Sequence, residues 1–153
     1  MDTTSAAAAA ALIAHAPRAG GHAYTAVDRN GAAYAIECTA RRSCTIAIRG
    51  GFHVHTNHCQ VPEHQALEAP LPYPSSRARL ARMQQLLREA EHIDGPFLEA
   101  CLADRTNGEL AICRDDFAGI STNAALVVCP EAPRLRVCHG QPSREPWVDL
   151  LGA

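Results

Sequence analysis

The sequence has 153 residues, of which 47% are apolar and 20% are charged, and its formal net charge is -2. This length suits one domain with a buried core, and we expect a single domain over residues 1–153. The composition excludes a disordered or membrane-embedded chain, and the lack of a basic excess argues against a nucleic-acid partner. Seven cysteines stand singly without a Cys-x-x-Cys pair, which indicates reduced thiols in a cytoplasmic protein. All basic residues apart from histidine are arginines, which is typical of a GC-rich bacterial genome.

The first part of the chain predicts a helix followed by a sheet. Ala6–Ala11 is too short to cross a membrane and lacks the basic flank of a signal peptide, so we expect a helix capped by Thr3, Thr4 or Ser5. Strands are predicted over 22–27 and 32–38, joined by a hairpin turn at Asp28-Arg29-Asn30-Gly31. Further strands over 44–48 and 52–56 complete an antiparallel meander of four strands.

The second part predicts helices and then more strands. Four prolines between Pro62 and Pro74 indicate a loop. An apolar stripe with helical spacing follows, which predicts a helix from Ser75 or Ser76 to His92, and Asp94 is placed to cap another helix that ends at Asn107-Gly108. Strands are expected over 109–114, 123–129 and 135–138, the last two joined by a hairpin loop over 130–133. The fold class is therefore α+β.

Several short segments in this order resemble the penicillin acyltransferase-like family, the acyl-coenzyme A:6-aminopenicillanic acid acyltransferases. The matching segments are Gly21–Tyr24 with Asp28–Gly31, Val54–His58, Ser75–Arg82, Ala111–Arg114, Ser121–Ala124 and Val137–Pro142. The resemblance runs from about residue 5 to residue 148 and covers the C-terminal half of such proteins. It implies part of an N-terminal-nucleophile hydrolase fold, in which two antiparallel sheets stack between helical layers (αββα).

The resemblance also implies a nucleophile that this sequence does not contain. In such enzymes self-cleavage frees an N-terminal cysteine, whose own α-amino group is the base that activates the thiol. Two Cys-Thr pairs occur, Cys38-Thr39 and Cys44-Thr45, but both fall at strand edges and are interpreted as structural. We therefore expect the catalytic cysteine in a missing segment or a separate chain, and no turnover by this chain alone.

Four residues are carried over as site candidates from the resemblance. Asn57 is expected to donate its side-chain amide to the oxyanion of a tetrahedral intermediate, and Arg77 is expected to lower the thiol pKa of the nucleophile. His55 and His58 are expected to contact substrate. The family places an arginine where Gly119 and Ile120 stand here, so part of its charge arrangement is absent.

The resemblance implies a protein that makes or cleaves an amide bond on a small molecule or peptide. No cofactor or metal is expected, although acyl-coenzyme A is a possible acyl-donor substrate. Half of a layered fold would expose a sheet face and strand edges, so we expect self-association or a nucleophile-bearing partner chain.

Three other interpretations of the sequence stay open. The cluster His53, His55, His58, Cys59 and His64 has the ligand types of a zinc site. A cysteine hydrolase using Cys59 with His58 or His64 is a second alternative. The third is a non-catalytic protein, either a truncated homologue or a binding module that keeps the pocket without the nucleophile.

Overall fold

The computed structural model describes residues 3–68, 75–116 and 119–151, and these form two compact units, Met1–Leu71 and Pro72–Ala153. The fold class is α+β, as predicted, with helices and two small antiparallel sheets. Each sheet has three strands in sequence order and lies within one unit. Within the described ranges, every helix is too short or too polar to cross a membrane.

The first unit contains helix α1 (Ala6–His15) and the sheet β1 (His22–Val27), β2 (Ala33–Cys38) and β3 (Ser43–Ile48), with β2 in the centre. Small alanines on one face of α1, Ala6 and Ala10, pack against Ala26, Ile36 and Cys38 of the sheet and form a buried cluster. Alanine lets the helix backbone approach the sheet closely, which is why such a short helix can cover this face.

Local hydrogen bonds fix the ends of these elements where the sequence predicts them. Ser5 caps α1 by accepting a hydrogen bond from Ala8 N at 3.2 Å. The Asp28 carboxylate accepts from Ala6 N at 3.0 Å and from Asn30 N at 2.9 Å, so one side chain joins the start of α1 to the hairpin turn. Gly31 has φ of 79°, the left-handed conformation that this turn requires.

The predicted fourth strand over 52–56 is wrong. Those residues have irregular backbone, and Phe52 is exposed rather than buried. Gly50 and Gly51 both have positive φ, 77° and 68°, and two successive left-handed residues turn the chain out of the sheet before a fourth strand can pair. The predicted loop from Pro62 is also corrected, because a one-turn helix, α2 (Pro62–Gln65), begins there with proline in its first turn. Residues 69–74 of that predicted loop lie outside the described residues.

The second unit contains helices α3 (Ser75–Glu89) and α4 (Gly95–Leu102), followed by the sheet β4 (Ala124–Cys129), β5 (Arg134–His139) and β6 (Trp147–Leu151). Both helices end earlier than predicted, whereas Asp94 caps α4 as expected, accepting from Phe97 N at 2.8 Å. Arg82 of α3 donates to the Asp104 carboxylate at 2.8 Å, and Arg136 of β5 pairs with Glu99 of α4.

The strands of this unit differ from the prediction in two places. Residues 109–114 form no strand; a short 3-10 turn occupies Gly108–Leu110, and Cys113 N then donates to Asp104 O at 2.9 Å. Strand β6 has no signal in the sequence, yet it pairs antiparallel with β5, for example Val137 with Val148. The hairpin that joins β4 and β5 over 130–133 is confirmed.

Candidate functional site

A buried carboxylate on the central strand of the first sheet accepts hydrogen bonds from residues in and after the segment Val54–His58. Glu37 is 7% exposed and lies on β2, opposite Ala23 of β1 and Cys44 of β3. Its Oε2 accepts from His55 Nε2 at 3.0 Å and from Gln60 N at 2.6 Å. Its Oε1 accepts from His64 Nδ1 at 2.9 Å and from Val61 N at 3.2 Å.

The hydrogen bonds from these donors favour the ionised form of Glu37. Burial raises the pKa of its carboxyl, but the hydrogen bonds from Gln60, His55, Val61 and His64 outweigh burial and hold that pKa below its usual range. Because a carboxylate only accepts hydrogen bonds, each histidine must present an N–H to it, at Nε2 in His55 and at Nδ1 in His64.

A cavity of about 840 Å³ opens beside this carboxylate, within the first unit. Its lining combines acidic, basic, imidazole, amide and thiol groups, a chemistry suited to a polar substrate. Its lining residues include Glu37, His55, Asn57, Cys59, His64 and Glu68.

The three site candidates of this unit, His55, Asn57 and His58, differ in whether they line the cavity. His55 and Asn57 both line it, and Asn57 is exposed. His58 does not line it: this residue is 3% exposed, and its Nδ1 lies 3.2 Å from Thr56 Oγ1. Of the two histidine candidates, His55 therefore lies at the cavity wall and His58 does not.

The cysteines that line the cavity are poorly suited to nucleophilic attack. Burial and then the Glu37 and Glu68 charges raise the pKa of Cys59 to about 11. Burial likewise raises the pKa of Cys38, which lies within β2. Since the thiolate is the nucleophile, both groups are inert near neutral pH. The raised pKa of Cys59 counts against a cysteine hydrolase built on this thiol.

In the second unit, hydrogen bonds of Arg114 join three of the matching segments: Ala111–Arg114, Ser75–Arg82 and Ser121–Ala124. Arg114 Nη1 donates to the Oγ of buried Ser75 at 3.1 Å, and Arg114 N donates to Thr122 Oγ1 at 3.0 Å. Arg77 lies in the first turn of α3 and is exposed. Burial and then the Arg114 charge lower the pKa of Arg79, two residues after Arg77 on α3. Arg79 and Arg114 therefore place two positive charges close together in this unit.

The zinc interpretation finds no support in the geometry. In residues 3–68, 75–116 and 119–151, no three side chains of His, Cys, Asp or Glu converge in a way that could hold a metal ion.

The sequence analysis did not identify Glu37, whose carboxylate accepts four hydrogen bonds beside the cavity. The available signal was a single carboxylate within the otherwise uncharged strand Ala33–Cys38, which is rare unless the charge has partners. Its partners lie 18 to 27 residues away, so the pattern alone could not identify them. Arg114 ends one of the matching segments, and its contacts to Ser75 and Thr122 give it a structural role.

The sequence model of the family described as acyl-coenzyme A:6-aminopenicillanic acid acyl-transferase matches residues 1–144. A search of curated proteins returned no match. The matched range includes Glu37, Asn57 and Arg77, together with every segment on which the sequence resemblance depends.

Proposed function

The chain belongs to the acyl-coenzyme A:6-aminopenicillanic acid acyl-transferase family, and we propose on this premise that it supplies the oxyanion donor of an N-terminal-nucleophile acyltransferase or amidohydrolase. The reaction makes or cleaves an amide bond on a small molecule or peptide. The observation that carries the proposal is the position of Asn57, an exposed amide at the wall of the 840 Å³ cavity, on a segment anchored to a buried carboxylate.

The proposed chemistry is acyl transfer through a thioester. A cysteine thiolate attacks the carbonyl carbon of the acyl donor, and the leaving amine or thiol departs with a proton. The negative charge that develops on the carbonyl oxygen is stabilised by the Asn57 amide N–H. An amine or water then attacks the thioester carbonyl, releases the cysteine and gives an amide or a free acid.

The nucleophile is proposed to lie outside the seven cysteines of this sequence. Cys38 and Cys59 line the cavity, and their raised pKa values leave them protonated near neutral pH. Self-cleavage before Cys38 or Cys44 would also cut β2 or β3 and destroy the first sheet. A cysteine with a free α-amino group, on another segment or a partner chain, meets the chemical requirement, and this chain alone is proposed to be inactive.

The other parts of the expected assignment remain proposals. Arg77 would lower the pKa of the incoming thiol through its charge, and His55 would contact substrate at the cavity wall. The antiparallel sheets are consistent with the αββα layered fold of N-terminal-nucleophile hydrolases. Exposed apolar side chains on β4 and β6, including Leu126, Val128 and Val148, are consistent with self-association or a partner chain.

Kinetics of an Asn57→Ala variant in the assembled enzyme test this proposal. Losing one oxyanion donor lowers kcat by about 10²–10³-fold, while KM changes little, because the donor acts on the transition state. Asn107→Ala, which removes an exposed amide in the second unit, is the matched control and should keep the activity. A kcat for Asn57→Ala within twofold of the unmodified enzyme would refute the role of Asn57.

A binding module without catalysis is the second candidate. It is favoured by the same thiol chemistry, because both cysteines of the cavity have a raised pKa and no reactive thiol faces the cavity from the described residues. Such a protein would bind an amide ligand and release it unchanged. Binding measured by calorimetry without product formation, in the presence of every chain that co-purifies, would support this candidate.

A further inference from the structure

We propose that Glu37 is the positioning residue of the site: its carboxylate anchors both ends of the segment that carries Asn57 and thereby fixes the oxyanion donor at the cavity wall. The inference rests on the proposed function for the role of Asn57. The anchoring itself is a property of the first unit and can be tested without any substrate.

The donors to Glu37 come from both sides of Asn57. His55 stands two residues before it, and the backbone N–H groups of Gln60 and Val61 follow it. The two carboxylate oxygens therefore tie the entry and the exit of the segment Thr56–Cys59 to one point. Gln60 Nε2 also donates to Val54 O at 2.7 Å, which closes the same segment at its base.

The anchor itself is rigid. Glu37 lies on β2, which pairs with β1 on one side and β3 on the other, so its backbone is held by neighbours in both directions. Its side chain is also largely buried. A donor on an irregular segment needs such a fixed support, since errors of about 1 Å in the position of a catalytic group can cost about 10²-fold in rate.

The hydrogen bonds also distinguish positioning from acid–base catalysis. A carboxylate has about four lone-pair sites, and Glu37 accepts four hydrogen bonds from the protein. Although the residue borders the cavity, its acceptor capacity is already used by the fold. Glu37 thus holds the site in place rather than removing a proton from a substrate.

Nuclear magnetic resonance of the 15N-labelled protein tests the anchor in two ways. In the unmodified protein, His55 should carry a proton on Nε2 and His64 on Nδ1, and the opposite tautomer at either residue would overturn the proposal. In Glu37→Gln, amide exchange at Gln60 and Val61 should accelerate at least tenfold, and the Asn57 side-chain amide signals should shift. Unchanged exchange and unchanged Asn57 signals would also overturn it.

Glu63→Gln is the matched control, because Glu63 is an exposed glutamate on α2 and the substitution makes the same chemical change. This variant should leave the tautomers, the exchange rates and the Asn57 signals as they are. If Glu37→Gln does not fold, the tautomer measurement on the unmodified protein still decides the proposal.

Kinetics of the assembled enzyme connect the anchor to the function. Glu37→Gln should lower kcat by up to about 10²-fold with little change in KM, and adding it to Asn57→Ala should cause no further loss. Additive losses would overturn the positioning role. If Asn57→Ala alone has no effect, the proposed function fails, while the resonance data still decide whether Glu37 anchors the segment.

Discussion

Cys59 lines the cavity beside Asn57, yet its thiol is held in the protonated form. Burial and the Glu37 and Glu68 charges raise its pKa to about 11, so its thiolate fraction at pH 7.5 is about 100-fold below that of an ordinary cysteine. Iodoacetamide should therefore label Cys59 at least about 100-fold more slowly than exposed Cys129, as followed by peptide mass spectrometry. In urea the two rates should converge. Equal rates in the folded protein would contradict the assigned environment.

Two glycines should respond in opposite directions to the same substitution. Gly140 has φ of 105°, and a Cβ there would lie 2.7 Å from Glu145 Cγ, so Gly140→Ala should lower the free energy of unfolding by more than about 1 kcal/mol. Gly95 begins α4 and has open space around it, so Gly95→Ala should raise that free energy by about 0.4–1 kcal/mol. Urea denaturation measures both changes, and a shift of the same sign for both would contradict the backbone argument.

At the scale of the elements, the start of α4 depends on one side chain. Asp94 accepts from Phe97 N at 2.8 Å and thereby satisfies a donor that the helix leaves unpaired. Asp94→Ala should lower the free energy of unfolding by about 1 kcal/mol, measured by urea denaturation. Glu91→Ala removes the same charge from the adjoining connection without removing a cap, and it should change stability by less than about 0.5 kcal/mol. An equal loss in both variants would rule out the capping role.

The elements that the sequence predicted correctly are those set by neighbouring residues. The Asn30-Gly31 turn and the Asp94 cap each depend on contacts within four positions, and such contacts can be inferred from residue type. The segment 52–56 was wrongly predicted as a strand because its apolar and polar residues alternate as they do in a strand. In the structure Gly50 and Gly51 turn the chain away from β3 before it can pair. Strand β6 was missed because its position is set by pairing with β5, a contact between distant residues.

The same distinction applies to the candidate site. Asn57 and His55 were carried over from the resemblance through the short segment Val54–His58, and both line the cavity. Glu37 was not identified, because the groups that donate hydrogen bonds to its carboxylate lie far along the chain. His58 belongs to the same segment as Asn57, but it is buried and does not line the cavity. Which residue of a short segment becomes buried depends on packing, and a short sequence pattern does not specify packing.

For the molecule as a whole, stability should fall in acid. Hydrogen bonds from Gln60, His55, Val61 and His64 outweigh burial and hold the pKa of Glu37 below its usual range, and hydrogen bonding to Arg82 lowers the pKa of Asp104. Carboxyl groups with a lowered pKa stabilise the folded state above their unfolded pKa, about 4, and this contribution disappears as the pH falls through the folded pKa. The free energy of unfolding should therefore drop steadily below about pH 5.

Comparing two glutamate variants isolates the part of this acid dependence that belongs to the anchor. Glu37→Gln removes the titrating group, so its stability should depend less steeply on pH below about pH 5 than that of the unmodified protein. Glu63→Gln should keep the original slope. The free energies come from urea denaturation at each pH, and an unchanged slope in Glu37→Gln would show that Glu37 does not titrate as described.

The most direct test of the central claim is to locate the acyl group during turnover. The protein would be purified from its native host with any chain that stays bound, incubated with an acyl-coenzyme A, quenched in acid and mapped by peptide mass spectrometry. The account predicts a thioester on an N-terminal cysteine other than the seven of this sequence, formed about 10²–10³-fold more slowly in Asn57→Ala. A thioester on one of those seven cysteines, or an unchanged rate in Asn57→Ala, would contradict it.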